Sequence, residues 1–150
     1  MLKLERFSKT LSVNLLATYQ CCEIASKFMN KNSSIINVTS IGSMLGFPGN
    51  PGYVASKRGV MALTKSLAID LSPMSIRVNN IVPGYIKTGM TLKSFKDKEL
   101  YNERLNRMII KRWGSVEDIT GAAIFLASNS SSYVTGTDVI IDGGWTAKGM

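Results

Sequence analysis

Apolar and polar positions switch between two spacings along the 150-residue chain, and the switches mark its elements. Leu11, Leu15, Ala25 and Phe28 recur at helical spacing and predict a first helix over residues 11–30. A short apolar, β-branched run at 34–39 predicts a strand, and a glycine-rich loop follows it. Pro51-Gly52 then opens a helix of small residues over 52–72, closed by Ser72-Pro73 because the residue before a proline avoids the helical region. Residues 76–82 read as the next strand, stopped by Pro83-Gly84, and further helical segments come after it. Ser115-Val116-Glu117-Asp118 reads as a capping box with acidic residues in the first turn of a helix to about residue 128. The last strand is predicted at 138–142. Strands separated by helices imply an α/β fold with a parallel sheet and right-handed crossovers. No internal repeat or low-complexity tract interrupts residues 1–150, so they read as a single domain.

Composition changes this picture little. A chain of 150 residues can bury about 70% of its unfolded surface. Lys and Arg exceed Asp and Glu by 18 to 10, and there is no histidine. The basic residues are scattered rather than striped along one element, which argues against a nucleic-acid partner. They are densest between Lys93 and Arg112, where Asp97, Glu99 and Glu103 intervene, and the ordinary reading of such a run is a mixed-charge helical surface. Cys21 and Cys22 are adjacent on a predicted helix, a geometry unsuited to a disulfide between them, so reduced thiols are expected. No basic-then-apolar leader and no apolar run of membrane-spanning length is present, which leads to the expectation of a soluble, cytoplasmic protein with no membrane partner.

The candidate chemistry lies around Tyr53 and Lys57. They are four residues apart, so a helix brings them onto one face. A free phenol titrates near roughly 10 and is a poor general base at neutral pH. An ammonium about 5 Å away, at an effective dielectric of about 20, stabilises the phenolate by roughly 3 kcal/mol. Ser40, thirteen residues before Tyr53, falls at the carboxyl end of the first strand, where ligands of open α/β sheets bind. Its hydroxyl could hold the substrate oxygen whose proton Tyr53 gives or takes. Alone, Tyr-x-x-x-Lys is also what a solvated helix face presents. Asn14 read alone is a polar surface position, and Thr88 could cap the helix after it.

In order along the chain, Val13-Asn14-Leu15, Ile36-Asn37-Val38-Thr39-Ser40, Tyr53-Val54-Ala55-Ser56-Lys57, Arg77-Val78-Asn79, Pro83-Gly84-Tyr85-Ile86-Lys87-Thr88, Arg112-Trp113-Gly114-Ser115-Val116-Glu117-Asp118 and Tyr133-Val134-Thr135-Gly136 through Asp142-Gly143-Gly144 resemble the classical short-chain dehydrogenase/reductase family. The resemblance implies the C-terminal part of a Rossmann-like, doubly wound parallel sheet, about three strands with flanking helices. It implies an NAD(P)-dependent oxidoreductase that interconverts an alcohol and a carbonyl. By resemblance Tyr53 is the acid/base, Lys57 its activator and a ribose ligand, Ser40 the carbonyl anchor and Asn14 the holder of a proton-relay water. Pro83, Gly84, Ile86 and Thr88 resemble the segment that contacts the nicotinamide carboxamide. The segment with Lys93 and Lys96 is similar to the family's substrate lid, and its charge could draw a phosphorylated or carrier-bound substrate.

The family's glycine-rich turn, its second strand and its N-N-A-G segment have no counterpart here. The loop from Gly42 to Gly49 does not replace the turn, because Pro48 stands where the closing glycine would be and offers no amide. The resemblance therefore implies NAD or NADP at its nicotinamide end only, on a partial domain carrying the catalytic and substrate-binding portion. A homo-oligomer or a complementary N-terminal half are the implied partners, besides a small alcohol or carbonyl substrate. Ile35, Ile36 and Val38 are then expected on an exposed apolar edge, which is sticky. The alternative is a catalytically inactive remnant, or an oligomerisation or interaction module of the same fold.

Overall fold

The computed structural model describes residues 3–148. Its elements are α1 (Leu4–Leu11), a π-helical turn (Ser12–Leu16), α2 (Ala17–Ser26), β1 (Ser34–Val38), α3 (Pro51–Asp70), β2 (Arg77–Pro83), α4 (Leu92–Lys96), α5 (Lys98–Arg107), α6 (Glu117–Ala127) and β3 (Asp138–Ile141). The first helical stretch thus starts earlier and ends earlier than the predicted 11–30, and it widens at its centre. A π turn inserts a residue into the helical ladder, which periodicity in a short window does not reveal.

The three strands form one parallel sheet in the order β1-β2-β3. Ser34 lies opposite Arg77 and Val38 opposite Ile81, while Asn80 lies opposite Asp138 and Pro83 opposite Ile141. The central strand β2 is buried on both faces from Val78 to Val82, as parallel strands covered by helices are. Two of those positions are Asn79 and Asn80, and both are fully paired. Asn79 receives the Thr137 amide and donates to the Val134 carbonyl, and Arg77 beside it donates to the carbonyls of Leu126, Ser128 and Val134. The Arg77-Val78-Asn79 motif therefore fastens β2 to the loop that leads into β3.

Asn80 belongs to a buried chain beneath the sheet. Asn37 of β1 donates to the Thr64 hydroxyl of α3, which donates to Asn80, which donates to Asp138 of β3, with contacts of 2.7–2.8 Å. The Cys22 thiol donates to Asn37 from α2, and burial pushes that thiol's pKa up. Both cysteines are free, Cys21 exposed and Cys22 buried.

Two apolar cores lie at opposite ends of the sheet. Cys22, Leu67, Ala68, Ile76 and Val78 fill the amino end. Ile41, Met61, Val82, Met108, Trp113 and Trp145 fill the carboxyl end, with Phe47, Tyr85, Phe95 and Tyr101 packed against them. On β1 the expected apolar edge is partly closed. Val38 is 55% exposed, but Ile35 and Ile36 are half-buried, since α6 packs on this strand and receives Ser34 at the Leu126 carbonyl. Among the described residues, no helix is long and apolar enough to cross a membrane.

Candidate functional site

Helix α3 can lie close to the first helical stretch because it turns small residues toward it. A Cβ at Gly52 would stand 3.3 Å from the Phe7 ring, and one at Gly59 would stand 2.8 Å from Leu15. Between them Ser56, fully buried, accepts a 3.1 Å hydrogen bond from the Asn14 carboxamide. Asn14 sits in the π turn, and its own carbonyl accepts from Thr18. Its side-chain oxygen has no donor among the described residues.

Tyr53 and Lys57 share one face of α3, with the Lys57 ammonium 5.8 Å from the centre of the Tyr53 ring. Lys57 reaches the sheet and donates a 2.9 Å hydrogen bond to the carbonyl of Val38, the last residue of β1. Burial without a carboxylate partner pulls the Lys57 pKa below its ordinary value. Two residues beyond β1, Ser40 caps a short 3-10 turn (Ile41–Ser43), its hydroxyl accepting the Gly42 amide at 3.1 Å. The Ser40 side chain thus keeps its proton free to donate. Arg58 of α3 holds the same turn through the Ser43 carbonyl. A Cβ on Gly42 would lie 3.3 Å from the Tyr53 ring and 3.1 Å from the Phe47 ring, so both aromatics lie close above that glycine.

Ser40, Tyr53 and Lys57 are therefore gathered around the carboxyl end of β1, and Asn14 adjoins α3 through Ser56. The second predicted group, Pro83, Gly84, Ile86 and Thr88, leaves the carboxyl end of β2. Gly84 donates its amide to the Ile141 carbonyl, and a Cβ there would be 2.6 Å from the Asp142 Cα. Buried Ile86 bridges to Gly114, with Lys87 and Tyr85 exchanging backbone hydrogen bonds with that glycine. Thr88 does not cap α4 through its side chain. Thr91 instead accepts the Thr88 amide and donates back to the Ile86 carbonyl, which folds this segment into a closed turn.

The Arg112–Asp118 motif is held by charge. Arg112 and Asp118 form a paired contact with both hydrogen bonds at 2.7 Å, and Asp118 also accepts the Ser115 amide. This is one half of the expected capping box, since the Ser115 hydroxyl turns to donate to Asp118 at 3.4 Å instead of accepting a helix amide, and the guanidinium holds the Asp118 carboxyl well below the usual carboxylate range. Pattern reading missed Ser56, whose signal is the Gly52, Ser56, Gly59 spacing of small residues. It also missed Arg104 and Trp113, whose contacts are visible only in three dimensions.

The profile of the Enoyl-(Acyl carrier protein) reductase family matches residues 1–146. The chain is 42% identical over 147 residues to 2-dehydro-3-deoxy-D-gluconate 5-dehydrogenase of Bacillus subtilis, covering 96% of this chain and 58% of that protein. It is 41% identical over 142 residues to a 3-oxoacyl-(acyl-carrier-protein) reductase of Chlamydia trachomatis, covering 93% of this chain and 56% of that protein. A gluconate 5-dehydrogenase from Burkholderia cenocepacia, solved in complex with NADP and tartrate, superposes with a TM-score of 0.94 at 30% identity, covering 99% of this chain and 59% of that one. The chain spans a little over half the length of these relatives. By the profile match along nearly its whole length, and by relatives at 42% and 41% identity, the chain belongs to the short-chain dehydrogenase/reductase family of NAD(P)-dependent oxidoreductases.

Proposed function

We propose that this chain carries the catalytic portion of an NAD(P)-dependent oxidoreductase that interconverts an alcohol and a carbonyl, with Tyr53 as its acid/base. The observation that carries the reading is the Lys57 ammonium on the same helix face as Tyr53, 5.8 Å from its ring, beside the carboxyl end of the Ser40 strand. In the reducing direction the Tyr53 hydroxyl gives its proton to the substrate oxygen as the carbon accepts a hydride. The Lys57 charge stabilises the phenolate left behind. Ser40 donates its free proton to the same oxygen, fixing the carbonyl and drawing off developing charge. Asn14 offers its unpaired side-chain oxygen to a water that returns a proton to Tyr53.

The residues present fit the nicotinamide end of the cofactor. Lys57 has no carboxylate partner among the described residues, which leaves ammonium protons for ribose hydroxyls. The turn over Pro83, Gly84, Ile86 and Thr88 offers backbone groups to a carboxamide. The nicotinamide, when bound, supplies or accepts the hydride. The relatives are named for sugar acids and for carrier-bound acyl groups, so the reading extends to small carbonyl compounds of either kind. The test is oxidation of NADH or NADPH with a carbonyl panel, together with calorimetric titration of both nucleotides. Tyr53→Phe should cost on the order of 10²–10⁴-fold in rate with the nucleotide still bound. Full activity in that variant would exclude Tyr53 as the acid/base.

A second reading, an inactive interaction module, draws on exposed Leu4, Val13 and Leu16 on the first helical stretch and Ile69 on α3, an apolar surface open to a second copy or to a complementary N-terminal half. Absence of any nucleotide binding by the folded chain would favour it.

A further inference from the structure

Ser56 lies between Tyr53 and Lys57 in α3, is fully buried, and has one proton to give. Its hydroxyl stands 2.7 Å from the Tyr53 carbonyl. A carbonyl only accepts, and two oxygens this close with no proton between them repel, so the Ser56 proton is committed to that carbonyl. Toward Asn14, 3.1 Å away, the hydroxyl is left with lone pairs alone. The Asn14 carboxamide must therefore present its NH2 end to Ser56. Turned the other way, it would set its oxygen against those lone pairs, at a hydroxyl closed to water, and the contact would hold no hydrogen.

With the amide end spent on Ser56, the oxygen end of the carboxamide is the one left over. The backbone carbonyl of Asn14, in the π turn, already accepts the Thr18 hydroxyl at 2.8 Å. Gly52 and Gly59 on either side of Ser56 bring α3 near enough for so short a side chain to reach Asn14. We propose that Ser56 is a positioning residue that acts through Asn14, fixing which end of the carboxamide is held and leaving the side-chain oxygen as an acceptor for the relay water. An oxygen there fixes one hydrogen of the water, whose lone pairs stay open to take a replacement proton from bulk solvent as the other hydrogen passes to Tyr53. An NH2 group in its place would compete with that proton for the lone pairs. The catalytic consequence rests on the hydride-transfer reading, but the orientation of Asn14 needs neither nucleotide nor substrate.

Two readouts on the 150-residue chain test it, and the first needs no turnover. The Asn14 side-chain amide is followed by proton-nitrogen NMR, its signals assigned by their loss in Asn14→Leu. Its protons should exchange with solvent about tenfold faster in Ser56→Ala than in wild type. The second readout is oxidation of NADH or NADPH with the carbonyl compound that the wild type turns over fastest. Ser56→Ala should lower kcat about tenfold and leave KM for the nucleotide unchanged, and adding it to Asn14→Leu should slow the reaction no further. A serine that merely braced α3 would add its own loss in the double variant. If Ser56→Ala does not fold, as judged by circular dichroism, Ser56→Cys carries the test, because a thiol is a weak acceptor for the amide. An Asn14 amide that exchanges equally fast in wild type and variant, a wild-type rate in Ser56→Ala, or losses that add in the double variant overturns the proposal. Slow exchange that Ser56→Ala abolishes, in a chain that shows no hydride transfer, supports the orienting role and counts against the oxidoreductase reading alone.

Discussion

Lys57 donates its 2.9 Å hydrogen bond to Val38, so the charge that faces Tyr53 is anchored to the carboxyl end of the edge strand. The same half-buried placement lowers the lysine's pKa by desolvation, which means the folded state holds this charge at a cost.

Lys57→Met should therefore separate activity from stability. On the proposed reading the variant loses hydride transfer, while its melting midpoint at pH 7 equals or exceeds that of wild type. The sign follows from linkage. A lysine whose folded pKa is lowered weakens the fold most below that value, and the cost disappears above the unfolded value of roughly 10.4. The stability gap between variant and wild type should thus shrink as pH rises toward that region. A drop of several degrees in the variant at pH 7 would show that the Val38 hydrogen bond outweighs desolvation.

Thr64 makes a different kind of link. Its hydroxyl accepts from Asn37 and donates to Asn80, each at 2.8 Å, and among side chains of that size only a hydroxyl can do both. Thr64→Val keeps the shape and orphans both amides, at roughly 1–3 kcal/mol for each group left unpaired. Thr64→Ser should recover most of the loss. Urea denaturation of the three proteins decides it, and a valine variant as stable as wild type would mean that Asn37 and Asn80 find other partners.

The strands, the long helix α3 and the placement of Ser40 before Tyr53 were legible in the sequence because each rests on local signals: β-branched runs, a proline at the helix start, an i to i+4 spacing. The π turn at Ser12–Leu16 was not, since an extra residue in a helix leaves the apolar pattern nearly intact over so short a span. Thr88 and Thr91 show the same limit, because which of two threonines closes a turn depends on backbone geometry. Asn79 and Asn80 look polar enough to argue against a central strand. They occupy one because Val134, Thr137, Thr64 and Asp138 satisfy them, and those partners come from distant positions. The inward turn of Arg104 was hidden for a related reason. Acidic neighbours in sequence suggested a paired surface, yet the side chain turns inward onto Tyr85.

Gly84 is expected to tolerate no side chain. A Cβ would stand 2.6 Å from the Cα of Asp142 and 2.7 Å from its Cβ, and the Gly84 amide already fixes this spacing by its bond to Ile141. Because the obstacle includes backbone, Gly84→Ala should cost about 1–3 kcal/mol and shift the turn that follows Pro83. Nearby Gly89 has nothing within 4 Å of its Cβ position and no positive φ, so Gly89→Ala is the matched control and should leave thermal stability within experimental error. Similar midpoints for the two variants would mean that β2 and β3 separate easily at their ends.

The Arg112 and Asp118 pair should set the acid limit of the segment that leads into α6. Asp118 accepts two hydrogen bonds from Arg112 and one from the Ser115 amide, and these hold its carboxyl well below the ordinary value near 3.9. A depressed carboxylate contributes stability that is complete above the unfolded pKa and is lost only as pH falls through the folded one. At pH 7 Asp118→Asn should therefore melt earlier than wild type, and the difference should persist down to pH 4 and close only in stronger acid. Because the pair is exposed to solvent, added salt should narrow the difference as well. The fluorescence of Trp113, next to Arg112 in sequence, gives a local reading of the same transition. Curves for the two proteins that merge already at pH 5 would place the proton on some other carboxylate and leave the cap of α6 resting on the Ser115 amide alone.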